Sequence, residues 1–141
     1  CSDAVGKNLM QSFAKIENKL HTVHSFVDNE LLLEINKESD SREIKAEFGI
    51  PHDKLLIGGC GNAEWRKGVD VFINIAKLAQ DSSITSEIHF VWIGMQNEGE
   101  YYEKIVFDLN KMGVKSNISL IPPTSKAKEI INALDIFLVR K

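Results

Sequence analysis

From Lys54 onward the chain alternates short runs of β-branched and aromatic residues with longer segments of helical period. That alternation restricts it to a parallel sheet joined by crossover helices. Leu55-Leu56-Ile57-Gly58 reads as a first buried strand. Val69 to Gln80 follows as a helix whose apolar stripe is Val69, Phe72, Ile73, Ala76 and Leu78-Ala79. Ile88-His89-Phe90-Val91-Trp92-Ile93 is a second strand ended by Gly94. Tyr101 to Met112 is a helix with Gly113 where a left-handed C-cap belongs. Ile118-Ser119-Leu120-Ile121 is a third strand, stopped by Pro122-Pro123. Thr124 to Leu134 reads as a short helix capped by Thr124 or Ser125, and Asp135 to Val139 as a fourth strand. The fold class expected is α/β, a parallel sheet with flanking helices. Its last strand has no crossover after it, so we expect a domain truncated at its C-terminus.

The first third differs in character. Ser2 to Lys15 carries a helical start signal and apolar positions Val5, Leu9, Phe13 and Ile16, and Thr22 to Val27 reads as a lone strand. Asn29 to Asp40 is a polar connector around Leu31-Leu32-Leu33. Ser41 to Phe48 is a short helix ended by Gly49 and Pro51. The expected organisation is therefore a remnant of a preceding domain at 1–28, a connector with a short helix at 29–53, and the sheet domain at 54–141.

Composition removes several function classes. With 141 residues and 43% hydrophobic content, one sizeable core is affordable and a second full domain is not called for. The 17 basic and 20 acidic residues are spread along the chain with a net charge of −3, and no polybasic stretch offers itself to nucleic acid. The longest apolar runs are strand-length, far short of the ~20 residues that cross a bilayer. Cys1 and Cys60 have no metal-ligand spacing, nor do His21, His24, His52 and His89, so neither a metal nor a cofactor is expected. Few cysteines and no signal-peptide pattern fit a reduced, cytoplasmic setting.

Chemistry is concentrated in Gly58-Gly59-Cys60-Gly61-Asn62-Ala63-Glu64-Trp65-Arg66-Lys67-Gly68, between the first strand and its helix. In an open α/β sheet ligands bind at the carboxyl ends of strands, and a loop entering a helix N-terminus supplies N–H groups and partial positive charge. Three glycines within four residues allow close backbone approach. Arg66 and Lys67 add two cations where the helix dipole disfavours them unless an anion lies between. A phosphate-bearing ligand satisfies these features; the plainer reading is a Gly-rich turn with a solvated Arg-Lys pair. The dinucleotide fingerprint fails because Glu64 stands where its third glycine is needed. The P-loop fails because the order is Lys67-Gly68-Val69.

The order strand, Gly61-Asn62-Ala63-Glu64-Trp65-Arg66-Lys67-Gly68, then Val69-Asp70-Val71-Phe72 resembles the donor-binding loop of GT-B glycosyltransferases of the large retaining group that includes glycogen and sucrose synthases. Phe90-Val91-Trp92-Ile93-Gly94, Ala133-Leu134-Asp135-Ile136-Phe137-Leu138, Val23-His24-Ser25-Phe26-Val27-Asp28 and Ser2-Asp3-Ala4-Val5 resemble further segments of that family in its own order. The resemblance covers nearly the whole chain. It implies the C-terminal, Rossmann-like half of a GT-B fold. It also implies transfer of a sugar from a nucleoside diphosphate donor to an acceptor hydroxyl with retention and without a metal.

The same resemblance implies roles for single positions. Lys67 contacts the donor diphosphate and stabilises its departure, the one catalytic assignment. Gly61, Asn62 and Arg66 join it at the diphosphate. Gly94 and Met95 lie beside the nucleotide, and Ile121-Pro122 meet the base. Asn62 stands where the family usually has arginine; it donates a hydrogen bond but carries no charge, and Arg66 is the nearby cation that can make up the loss. The family's glutamate pair falls beyond Lys141, so the fragment itself is expected to be inactive. Partners implied are a nucleotide-sugar donor and a glycan, lipid-linked or other hydroxyl acceptor, with peripheral membrane contact through the remaining domain at the inner face of a membrane. A sugar-nucleotide epimerase of the same architecture and a non-enzymatic α/β interaction module are the competing readings. Phe90 and Trp92 read as strand packing, Tyr101-Tyr102 as helix-face residues, and Lys126 and Lys128 as a solvated face. Trp65 reads equally as packing or ligand contact. The sequon at Asn117 is discounted for want of a secretory signal.

Overall fold

The computed structural model describes residues 2–13, 15–25, 41–62, 64–82 and 85–139. The chain forms two compact units, Cys1–Glu34 and Ile35–Lys141.

In the first unit, helix α1 spans Asp3–Ser12, and the Ser2 hydroxyl caps it by accepting the Val5 N–H at 3.4 Å. Its buried residue is Gly6, where a Cβ would stand 3.4 Å from both Leu20 and Thr22. The apolar positions Val5 and Phe13 are more than half exposed within this chain. The expected strand is not formed at Thr22 to Ser25; Phe26 and Val27 lie outside the described residues, as does the Leu31-Leu32-Leu33 connector.

The second unit runs α2 (Ser41–Glu47), β1 (Leu55–Cys60), a 3-10 turn (Trp65–Lys67), α3 (Val69–Asp81), β2 (Ile88–Ile93), α4 (Glu100–Met112), β3 (Ile118–Ile121), α5 (Ala127–Asn132) and β4 (Ile136–Phe137). All strand pairs are parallel, in the order β3-β2-β1-β4. The chain steps outward from β1 to β2 to β3 and then reverses across β1 to reach β4. Right-handed crossovers then require the outward helices on one face and the returning helix on the other. The core divides in that way. Phe90 and Trp92 of β2 pack with α3 and α4 through Phe72, Ile73, Ile105 and Leu109. Their alternating neighbours Val91 and Ile93 pack with α2 and α5 through Ile44 and Ile130. Phe72 meets Phe90 and Trp92 edge-on, with ring centroids 5.5 and 5.2 Å apart, a geometry that contributes about 0.5–1.5 kcal/mol per pair beyond area burial. The expected strand packing of Phe90 and Trp92 is thus seen.

Four expectations are adjusted. β1 continues through Gly59 and Cys60, because both glycines lie under large side chains: a Cβ on Gly58 would stand 2.1 Å from a Leu134 methyl, and one on Gly59 2.7 Å from the Trp92 indole. Leu78 leaves the apolar stripe of α3 and is 69% exposed. The last helix begins at Ala127, since the Thr124 hydroxyl accepts the Lys126 N–H at 3.1 Å and closes a turn instead. Lys126 is exposed as expected but also ion-paired, its ammonium meeting Glu47 of α2 at 2.7 Å.

Short as it is, β4 is bracketed. The Asp135 N–H donates to the Leu56 carbonyl at 3.0 Å, the Asp135 carboxylate accepts the Leu56 N–H at 2.7 Å, and the Leu138 N–H reaches the Gly58 carbonyl at 2.8 Å.

His89 is the buried polar residue of the core. Its Nε2 lies 2.8 Å from Ser119 Oγ, and its Nδ1 is buried without a partner. Burial, reinforced by the Lys54 charge, pushes its pKa down from 6.5 to about 4. The unfolded chain therefore takes up a proton near pH 6.5 that the folded chain refuses until about pH 4. Stability is complete above the higher value and is lost as pH falls through that window. Urea unfolding at pH 7 and pH 4 is expected to show the wild type losing about 3 kcal/mol more than His89→Gln. Equal losses in the two proteins would mean that His89 does not titrate in this way.

Candidate functional site

Where the strand order reverses, the carboxyl ends of β1 and β4 lie side by side, the place where open α/β sheets form a ligand crevice. The loop after β1 is tied to the next strand before it reaches that crevice. The Gly61 N–H donates to the Ile93 carbonyl at 2.9 Å, and the Gly61 carbonyl accepts the Trp92 indole N–H at 3.1 Å. Gly61 is thereby anchored against Gly94, which sits at φ +99° with its α-carbon hard on the Gly61 backbone; a Cβ there would lie 2.8 Å from the Gly61 oxygen. Beyond this crossing the loop turns through Trp65–Lys67 and enters α3 over Gly68, which takes a left-handed φ of 76° and has no side chain to cap the helix.

Lys67 folds back along the loop: its Cδ would stand 3.2 Å from a Cβ on Gly61. Two hollows of about 180 Å³ each open beside it and share Lys67, Trp92, Leu138 and Val139. One extends along the apolar first turns of α3, by Val71, Phe72 and Ile75; the other reaches Cys60, Arg66 and Phe137. No carboxylate among the described residues pairs with Lys67. Arg66 is different. Its guanidinium donates through Nε and Nη2 to Glu64 Oε2 at 3.2 and 2.7 Å. The thiol of Cys60 is raised in pKa by desolvation, with the Lys67 charge pulling the other way.

The expected nucleotide positions form a strip continuous with this loop. The Ile121 carbonyl accepts the N–H groups of both Gly94 and Met95, at 2.8 and 3.0 Å, so its acceptor capacity is filled. Met95 is 1% exposed and belongs to the core, with its N–H already given to Ile121, whereas Pro122 is exposed. A third hollow, about 240 Å³, lies between Met95 and the start of α4, lined by Glu98, Gly99, Tyr101 and Tyr102. Burial, and then the Asp70 charge, raise the Tyr101 pKa. Gly61, Asn62, Arg66, Lys67, Gly94, Met95, Ile121 and Pro122 therefore follow one another along the carboxyl ends of β1, β2 and β3. Trp65 is 70% exposed on the turn.

Sequence reasoning passed over Cys60, Phe137, Leu138 and Val139 as cleft residues. Their signal was positional: Cys60 and Phe137 end β1 and β4, and Leu138 and Val139 follow directly, at the reversal where crevice walls form. Of the three glycines expected to cradle a ligand, Gly58 and Gly59 are covered by Leu134 and Trp92, and Gly61 alone stands in the loop. Among the described residues no cluster of three histidine, cysteine or carboxylate side chains is placed to hold a metal, and no helix is long and apolar enough to cross a membrane.

No protein-family model matches the chain. Solved structures align closely. A glycosyltransferase from Rickettsia africae superimposes with a TM-score of 0.78 at 12% identity, over 98% of this chain and 36% of that one. WaaG, a glycosyltransferase involved in lipopolysaccharide biosynthesis, gives 0.71 at 20% identity, over 94% and 35%. The fold is that of the C-terminal domain of GT-B glycosyltransferases. HepE from Anabaena, solved in complex with UDP and glucose, aligns with a TM-score of 0.60 at 17% identity over 76% of this chain and 29% of HepE. In sequence the chain is similar to D-inositol 3-phosphate glycosyltransferase 1 of Catenulispora acidiphila, 25% identical over 122 residues, which is 82% of this chain and 28% of that protein. The chain thus spans about a third or less of the proteins it matches.

The tightest geometric demand in this GT-B loop is the crossing of Gly61 and Gly94. Gly94→Ala places a methyl against backbone in a conformation that alanine avoids, and is expected to destabilise the second unit by about 2 kcal/mol or more. Thermal melting checks this, and an unchanged midpoint would show that the crossing can relax.

Proposed function

We propose that this chain is the donor-binding part of a glycosyltransferase. It holds a nucleoside diphosphate sugar whose diphosphate lies against Lys67 and the entrance to α3. The observation that carries the reading is the placement of Lys67, a cation with no carboxylate partner among the described residues, at the uncapped N-terminus of a thirteen-residue helix beside the β1/β4 crevice. Lysine is disfavoured there by the helix dipole unless an anion is bound, and both the N–H groups and the ammonium then favour the same ligand. The GT-B fold supports it, since HepE is a protein of this fold solved with UDP and with UDP-glucose.

Chemically, transfer requires a bond to break between the sugar and the diphosphate, with negative charge collecting on the departing oxygen. Lys67 and the first N–H groups of α3 are fixed before that charge develops, which is how preorganised donors lower such a barrier. Gly61, Asn62 and Arg66 complete the diphosphate contacts. Gly94, Met95, Ile121 and Pro122 flank the nucleoside, and because the Ile121 carbonyl is already filled, contact there is by packing. No metal or cofactor is assigned. We assign the transfer step, with retention at the anomeric carbon and with a glycan, lipid-linked or other hydroxyl acceptor, to a cytoplasmic protein of the relatives' full length.

Titration calorimetry with UDP and GDP is expected to show binding that Lys67→Ala weakens about tenfold or more, as the loss of one charge-assisted phosphate bond implies. Equal affinity in wild type and variant would remove Lys67 from the site.

A further inference from the structure

Arg66 lines the hollow that contains Lys67 and Cys60, yet its guanidinium is turned onto Glu64. The two residues flank Trp65 at the start of the 3-10 turn. Glu64 is the extended residue that precedes the turn, and its carbonyl accepts the Lys67 N–H at 2.8 Å. Glu64 therefore bonds both of the next cationic residues, Arg66 through its carboxylate and Lys67 through its backbone carbonyl. The pair is exposed, Arg66 at 66% and Glu64 at 45% of their side-chain surface. An ion pair of that kind contributes little to stability and is readily exchanged. A diphosphate presents the same acceptor chemistry as the carboxylate with more negative charge, so it competes well for a guanidinium fork. Lys67 lies back over Gly61, and successive side chains on a 3-10 turn point about 120° apart, so Arg66 reaches a different side of the ligand than Lys67 does.

Resting on the donor-site reading above, we propose that Glu64 and Arg66 form an exchange latch. Glu64 holds Arg66 at the lip of the cleft and releases it to the diphosphate, so that Arg66 is the second cation on the ligand and Glu64 a positioning residue that tunes affinity. Asn62, uncharged, leaves Arg66 as the cation beside Lys67 in this loop.

The test is a double-mutant cycle read by calorimetric titration with UDP on the whole chain, with circular dichroism to confirm that each variant folds. Glu64→Gln is expected to tighten UDP binding about fivefold and Arg66→Gln to weaken it about tenfold, with Arg66→Lys recovering part of the loss because an ammonium lacks the fork. In the Arg66→Gln background, Glu64→Gln is expected to change affinity less than about twofold, since the competition is gone. If Glu64→Gln tightens binding equally in both backgrounds, Glu64 acts by simple repulsion and the latch is overturned. If UDP binds and depends on Lys67 but is indifferent to Arg66, the latch is overturned while the donor site stands. If neither UDP nor GDP binds at millimolar concentration, the donor-site reading fails and the latch with it.

Discussion

Everything in the second unit hangs on β1 being paired along both edges. Its partner β2 is reached by an outward crossover and its partner β4 by a returning one. Because crossovers in parallel sheets share one hand, that single arrangement sends α3 and α4 to one face and α5 to the other, where α2 joins it, and splits the core into its two apolar layers. It also decides where a ligand can enter. The carboxyl ends of β1 and β4 lie side by side at that reversal, and Leu138 and Val139, just beyond β4, border the hollows beside α3.

Around that opening the protein uses packing to position polar chemistry. Trp92 is the pivot. Its ring fills the space that Gly59 vacates, stacks edge-on against Phe72, and spends its one hydrogen bond on the Gly61 carbonyl. An indole buried to that degree needs a partner for its N–H, and satisfying it fixes the loop at the point where the chain turns toward Lys67. The cations beyond are not themselves buried, so their position derives from this anchor and from the left-handed Gly68.

The parts of this architecture legible in the sequence were those set by local pattern. β2 and β3 were read with their observed bounds because their β-branched runs end at Gly94, which turns to a positive φ, and at Pro122, which has no N–H to give a ladder. Gly113 marked the end of α4 for the same kind of reason. What was missed depended on partners distant in sequence. Gly59 and Cys60 look like loop until Trp92 is seen above Gly59. Thr124 looks like a helix cap, but its hydroxyl closes a turn two residues on. Leu78 falls on the apolar side of a short count and faces outward. At the site, the loop and its lysine were visible as a motif. The orientation of Arg66 was not, since it is chosen by a side-chain pair at a spacing that regular helix rules do not treat as neighbours.

The bracket formed by Asp135 and Leu56 has a further consequence for motion. β4 contributes two residues of pairing to the sheet, and a few hydrogen bonds through Asp135 and Leu138 hold the rest of that crevice wall. A segment so lightly attached can open without disturbing β1, β2 and β3, as a separate unit of local unfolding. Its amides should then exchange with solvent well before those of the central strands. Whatever occupies the crevice against Leu138 and Val139 would slow that opening, and in doing so would turn the loosest wall of the domain into a reporter of occupancy.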